Sequence, residues 1–338
     1  MVETFFDPFT VGGGKKEFGY INVVDTPAAK FDMPVGIVNG ASSGPTLTVT
    51  GGLYPTEFYG IEAASRLYQL IKPEELSGRL ITIPIVNMST FQFRTPMFKL
   101  VQSSTSPIDG GNINKSFPGT SKGRPTMVLA YKLFDIISKS DYHVDFRGGD
   151  LNESHLVHTI FLRIGNELDE TAEMMAKAFG FEYVLPGTPE IGHTSKGTLI
   201  YEAMNKGVAS IISESGLGYR EQPLDEFINL HVQGTINLLK YFGMIEGKIV
   251  KPKNQRFLDM EWQRVRAPVS GIFQAIADQG DVCKAGELLG LIKDVDGSEL
   301  GQVLSPVDGV VHCMYPRRVV HVGDPLYTLL KIDKLTGW

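Results

Sequence analysis

Residues 45–57 read Pro-Thr-Leu-Thr-Val-Thr-Gly-Gly-Leu-Tyr-Pro-Thr-Glu. The first half has the texture of a short buried strand, and Gly51-Gly52 ends it in a loop. A helical run then follows from Ile61 to Leu70. Moving outward, the same alternation repeats. A second strand is predicted from Leu80 to Val86, a helix over Thr126–Ser138 and a strand over Asp141–Phe146. Phe161–Ile164 reads as strand, Glu167–Ala178 as helix, Ala209–Glu214 as strand and Asp225–Tyr241 as helix. Strands that alternate with helices predict an α/β layer around a mostly parallel sheet flanked by helices. In such sheets ligands gather at the carboxyl ends of strands. The polar clusters after Gly52, Phe146 and Ser213 fall at those ends.

Bulk properties narrow the class. The chain has 338 residues, and at roughly 100–200 residues per domain two domains are expected. Hydrophobic residues make up 42%, enough for a sizeable core. A formal charge of −6 gives no reason to expect nucleic acid or an anionic membrane as partner. No window approaches the ~18 uninterrupted apolar residues of a membrane span. The N-terminus lacks a basic segment followed by an apolar one, so no signal peptide is expected. Cys283 and Cys313 form no CxxC pair, which predicts a reduced, cytoplasmic protein.

From about residue 250 the texture changes. Ala267-Pro268-Val269-Ser270-Gly271 is echoed by Ser305-Pro306-Val307-Asp308-Gly309, and each leads to an apolar strand and a Gly-Asp turn. Two similar halves of short strands predict a small β-barrel or sandwich. The expected division is a carboxypeptidase-like unit over 1–250 and a β unit over 260–338. The β unit resembles biotinyl/lipoyl-like barrels. The hairpin-tip lysine of the true carriers is replaced by Ser298, so a cap is expected rather than a swinging arm.

Three segments carry the chemistry. They are Gly51-Gly52-Leu53-Tyr54-Pro55-Thr56-Glu57, then Ser106–Gly119 with Asp109, Asn114 and Lys115, then Asp145-Phe146-Arg147-Gly148-Gly149. Ser213-Glu214-Ser215-Gly216 joins them later. In order and spacing they resemble the succinylglutamate desuccinylase/aspartoacylase family of the zinc carboxypeptidase clan. That family carries Gly-Gly-x-His-Gly-x-Glu, Asp-Gly-x-Asn-Leu-Asn-Arg-x-Phe-Pro-Gly, Asp-Leu-His-x-Gly and Thr-Glu-Leu-Gly. The likeness runs from about residue 45 to the end and implies the zinc-carboxypeptidase fold. It puts the first zinc histidine at Tyr54, the glutamate ligand at Glu57 and the second histidine at Arg147. It puts the substrate-carboxylate pair at Asn114 and Lys115, and the general base at Glu214. A further family arginine falls at Ser104, with Arg94 upstream as its substitute. Asp109 is expected to organise the loop presenting Asn114, and Asp145 to help fix Arg147 or a backbone turn.

In the family, three ligands leave an open position on zinc where water is acidified. A glutamate takes its proton and returns it to the leaving amine. Here two of the three ligands differ. Arginine stays protonated and does not ligate zinc, and a neutral phenol is a poor ligand. The expectation is therefore a guanidinium standing in for metal charge and paired with Glu57, with no cofactor required. Three readings follow. The chain is a metal-independent hydrolase or lyase using Arg147, Lys115 and Glu214. Or it holds zinc at an altered site through His155 and His158, which on a strand point to opposite faces. Or it is a non-catalytic pseudoenzyme that binds a small anion. The leading expectation is a deacylase or amidohydrolase of non-peptide carbon–nitrogen bonds. Its substrate is a small carboxylate-bearing N-acyl compound, with homo-oligomerisation left open. His143 and His231 are expected to be structural, and His193 to lie on a surface loop.

Overall fold

The computed structural model describes residues 6–25, 30–91, 106, 108–190, 192–218, 220, 222–332 and 336–337. An N-terminal hairpin, β1 (Lys15–Asp25) and β2 (Lys30–Asn39), precedes the first expected strand, β3 (Ser42–Thr50). The chain continues through α1 (Phe58–Leu70), β4 (Ser77–Ile83), α2 (Met88–Phe91) and α3 (Pro125–Ile137). It then forms β5 (Tyr142–Arg147), β6 (Ser154–Leu162), α4 (Leu168–Phe179) and β7 (Tyr183–Gly187). Three further elements complete this part: α5 (Leu199–Asn205), β8 (Ala209–Gly216) and α6 (Asp225–Tyr241).

Strands β4, β3, β5 and β8 run parallel at the centre of the sheet. Every residue of β8 is buried, as expected of a strand covered on both faces. Antiparallel neighbours flank this centre: β2 beside β4, and β6 beside β8. The sheet is thus mixed around a parallel core.

Helices cover both faces. On one side α1, α4 and α6 build a core with Leu67, Phe146, Met175 and Leu238. Helix α6 buries Ile228, His231, Val232, Thr235, Leu238 and Leu239, a stripe at three- and four-residue spacing. Each fully buried leucine of that stripe contributes about 1.5–3 kcal/mol relative to exposure. On the other side Leu129, Leu133 and Ile137 of α3 pack with Leu199 and Ala203 of α5 against Ile37 and Ile81. Pro125 opens α3 with its φ already helical. Gly180 ends α4 in the left-handed region, at φ 94°.

The C-terminal strands are β9 (Arg256–Phe257), β10 (Trp262–Arg266), β11 (Gly271–Ala275), β12 (Val282–Cys283) and β13 (Leu288–Lys293). They continue as β14 (Glu299–Leu304), β15 (Gly309–Met314), β16 (Val319–Val320) and β17 (Pro325–Lys331). Strands β14-β13-β11-β16 make a small sheet, and its core holds Phe273, Leu289, Ile292 and Tyr327. Strands β15, β17 and β10 extend the large sheet instead, because Cys313 and Met314 pair with His155 and Ser154 of β6. Among the described residues no helix is long and apolar enough to cross a membrane.

Candidate functional site

Parallel strands bring their carboxyl ends to one edge of the sheet. Strand β3 therefore delivers the loop 51–57, β5 delivers Arg147 and β8 delivers Glu214. Arg147 and Glu214 are register partners across the two parallel strands. Strand β6 runs antiparallel to β8, so its first residues reach the same edge, and β15 brings Cys313 beside them. A cleft of about 430 Å³ opens there, walled by Tyr54, Glu57, Arg147, His155, Glu214 and His312. Ligand pockets commonly measure about 300–1,000 Å³.

The guanidinium of Arg147 is the centre of charge. The side chain is only 2% exposed. Its Nε donates to Asp145 Oδ2 at 2.6 Å, and Nη2 lies 2.6 Å from the same oxygen as an ion pair. Asp145 Oδ1 accepts from Thr50 Oγ1 at 2.8 Å, and Thr50 meets His143 Nε2 at 3.0 Å. His143 Nδ1 in turn lies 2.7 Å from Ser210 Oγ. His143 is therefore a satisfied core residue, as expected. Burial alone would weaken the guanidinium's hold on its proton, but the charges of Asp145, Glu57 and Glu214 outweigh it, so the pKa rises. The guanidinium also lies 4.8 Å from the centroid of the Tyr54 ring, a cation–π distance. Asp145 thus helps fix Arg147, as expected, whereas no hydrogen bond joins Arg147 to Glu57 among the described residues. Asp145 lies two residues before Arg147 on the same strand face.

Glu57 precedes the first turn of α1 but does not cap it. Its Oε2 is buried with no hydrogen-bond partner among the described residues. Burial pushes its carboxyl well above the usual range, Arg147 pulls it down, and Glu214, Asp150 and Asp145 push it up again. Glu214 is raised by burial against the pull of His155 and Arg147. Burial likewise raises the Tyr54 phenol, so it stays protonated at neutral pH. The edge thus holds a fixed cation, a neutral phenol and two carboxyls of raised pKa.

The other expected residues divide. Asn114 is buried and its Oδ1 accepts from Leu199 N at 3.2 Å. Its side chain also helps hold down the pKa of Tyr54. Lys115 reaches Gly192, a residue of the cleft wall. Its ammonium donates to Gly192 O at 2.6 Å and to Ser195 Oγ at 2.5 Å, so it fixes the loop carrying His193. Exposed His193 borders the cleft. Arg94 and Ser104 lie outside the described residues. Asp109 organises its loop as expected, with Oδ1 accepting from Gly111 N at 3.0 Å and Thr126 Oγ1 at 2.6 Å. Asp109 Oδ2 accepts from Thr126 N at 2.8 Å. His231 is structural, with Nδ1 2.8 Å from Ser213 Oγ.

His155 and His158 do not stay on independent faces. The pairing of β6 with β8 shifts register between them, which breaks the two-residue alternation. Both rings consequently meet His312, at centroid distances of 5.7 and 4.8 Å. Burial lowers His158 to about 3. For His155 burial also pulls down, but Glu153 and Glu214 lift it above the ordinary imidazole value.

Several wall residues were missed: Asp150, Glu153, Trp262, Arg264, His312 and Cys313. The acidic run just after Gly149 was a legible signal for the first two. The last four come from the C-terminal strands, whose approach depends on one long-range strand pairing with no local trace. Of the arginines beyond Tyr315, Arg317 lies 3.9 Å from Asp324 and Arg318 donates to Phe273 O at 3.2 Å. Tyr315 lines the cleft.

With the geometry in place, comparisons give the lineage. Residues 43–225 match the succinylglutamate desuccinylase/aspartoacylase catalytic domain. The chain is similar to the N-alpha-acetyl-L-2,4-diaminobutyric acid deacetylase of Halomonas elongata, 27% identical over 317 residues, covering 90% of this chain and 87% of that one. A succinylglutamate desuccinylase/aspartoacylase from Rhodobacter sphaeroides superposes with a TM-score of 0.79 at 26% identity, covering 95% of this chain and 98% of that one. The product-bound ectoine utilization protein EutE (DoeB) of Ruegeria pomeroyi shares the fold, with TM-score 0.80, 22% identity and coverage of 95% and 97%. More than half of the chain matches the catalytic domain, and it belongs to the succinylglutamate desuccinylase/aspartoacylase family.

Proposed function

We propose that this protein is a deacylase that hydrolyses the carbon–nitrogen bond of a small carboxylate-bearing N-acyl compound, with Arg147 supplying the positive charge at the reacting centre. The donors at the family's ligand positions do not suit zinc. Arg147 is a cation bonded to Asp145, Tyr54 is a phenol of raised pKa, and only Glu57 offers a ligand oxygen. No step is therefore routed through a metal at that place.

In this reading Glu214 takes a proton from water as the water oxygen attacks the acyl carbon. The carbonyl electron pair moves to oxygen, and that oxyanion is held by the Arg147 guanidinium and the Tyr54 hydroxyl. Asp145 keeps the guanidinium from turning. The carbon–nitrogen bond then breaks, and the proton on Glu214 passes to the leaving nitrogen. The products are a carboxylic acid and an amine. A carboxyl of raised pKa suits this two-way duty near neutral pH.

The observation that carries the reading is the register pairing of Arg147 with Glu214 at the floor of one cleft. The substrate of the Halomonas relative, an N-acetylated diamino acid, supports the choice of substrate class. Exposed Arg264 at the cleft mouth suits a substrate carboxylate, and the Asp150 and Glu153 carboxylates suit an ammonium.

The test is turnover of N-acetyl diamino acids and other N-acyl amino acids, followed by amine release. Glu214→Gln is expected to lower kcat by about 10²–10⁴ while calorimetry still detects substrate binding. Activity that survives Glu214→Gln refutes the base assignment. Binding without turnover in the wild-type protein replaces this reading with the small-anion binder.

A further inference from the structure

His155, Glu153 and Cys313 meet where β6 pairs with β15, and His155 is the register partner of Cys313. One donor atom from each lies within 4.8 Å of the other two. The three come from two distant parts of the chain, and none stands at a family ligand position. Cys313 is 3% exposed, and its sulfur meets Met314 O at 3.8 Å and the Tyr315 hydroxyl.

Two imidazole nitrogens at this junction lack partners. His155 Nε2 lies 3.3 Å from Glu153 Oε2, whereas its Nδ1 is buried with no hydrogen-bond partner among the described residues. The second is on His312, which is 4% exposed. His158 Nδ1 lies 2.7 Å from the Leu156 carbonyl, which only accepts, so the proton sits on Nδ1. In the neutral ring Nε2 is then a bare lone pair, and His312 Nε2, 3.4 Å away, must donate to it. Neutral His312 is left with a bare Nδ1, also buried and without a hydrogen-bond partner among the described residues. Unpaired buried nitrogens of this kind are costly unless something absent from the chain satisfies them.

The surrounding charge favours a cation. Asp150 and Glu153 line the cleft, and the Arg147 guanidinium is already bonded to Asp145.

We propose that Glu153, His155 and Cys313 form a site for a thiophilic divalent ion of the zinc class, displaced from the family's metal position to the wall made by the C-terminal strands. A thiolate, an imidazole and a carboxylate together select zinc or cobalt over magnesium or calcium. In a tetrahedral zinc site, donor atoms lie roughly 3.3–3.8 Å apart. Closure from 4.8 Å therefore needs side-chain rotation without movement of the strands. Three ligands leave a fourth position open to the cleft. The site does not depend on the deacylase reading.

The experiment uses the full chain, freed of metal by dialysis against a chelator and then titrated with Co²⁺ and Zn²⁺. One ion per chain is expected, with a thiolate-to-cobalt charge-transfer band in the near ultraviolet. Cys313→Ser should abolish the band and weaken binding by roughly 10- to 100-fold or more. His155→Gln should weaken binding similarly, and circular dichroism checks that both variants fold. Glu57→Gln should leave stoichiometry and band unchanged. Absence of saturable binding overturns the proposal. So does an ion that survives Cys313→Ser and His155→Gln but is lost in Glu57→Gln. Ion binding without deacylation counts against the proposed function alone, and deacylation by protein that binds no cobalt counts against this site alone.

Discussion

Replacing Arg147 by methionine keeps most of the side chain's length and removes its charge. In the wild type the guanidinium gives Asp145 a hydrogen bond and an ion-pair contact, each of 2.6 Å, in a setting where both side chains are at most 2% exposed. After the substitution Thr50 is the only donor left to Asp145 among the described residues. Breaking one side of a buried pair typically costs about 3–5 kcal/mol. Glu57 and Glu214 lose a counter-charge too, but burial already raises both carboxyl pKa values, so proton uptake can offset that loss. Their added cost is small beside that of Asp145. At roughly 2 °C per kcal/mol for a chain of this size, the unfolding midpoint should fall by about 6–10 °C in differential scanning calorimetry. Adding Asp145→Asn removes the stranded charge, so the double variant should regain about 1.5–3 kcal/mol over Arg147→Met alone. Two results refute the reasoning: Arg147→Met as stable as the wild type, or a double variant no more stable than the single one.

Two further predictions concern the loops that carry the site. For Asp109, burial raises the carboxyl pKa, but donation from the Thr126 hydroxyl and the Thr126 and Gly111 amides outweighs it, so the folded value lies below the unfolded one. Its stabilisation is therefore complete above the unfolded carboxylate value near ~3.9 and is lost as pH falls through the folded value. Asp109→Asn should cost about 1–2 kcal/mol at neutral pH, and urea titrations should show the gap closing in acid. A gap that is constant from neutral pH to pH ~3 would contradict the assigned bonds. Gly148 sits at φ 98°, and a Cβ there would lie 2.5 Å from Ser215 N. Gly148→Ala should cost at least about 2 kcal/mol and should reduce activity by disturbing the junction beside Arg147 and Glu214. Wild-type stability and kinetics in this variant would show that the turn is looser than described.

Local pattern was enough for much of the architecture. Helix α6 begins and ends where its apolar spacing predicts, at Asp225 and Tyr241, because one continuous stripe must face the sheet. Strands β3, β5 and β8 were legible as apolar runs, and their parallel order follows from the helices between them. That order alone predicts Tyr54, Glu57, Arg147 and Glu214 at one edge, since parallel strands end together. What the sequence left undecided depends on contacts between distant segments. Both Asp145 and Glu57 were candidate partners of Arg147, and the fold gives the hydrogen bond to Asp145 on the same strand face. The meeting of His155 and His158 at His312 needed a register shift that no periodicity announces. The pairing of β15 with β6 joins residues more than a hundred positions apart. Such pairings are chosen by whole-molecule packing and not by local preference, so only the tertiary structure brings Cys313 and His312 to the cleft.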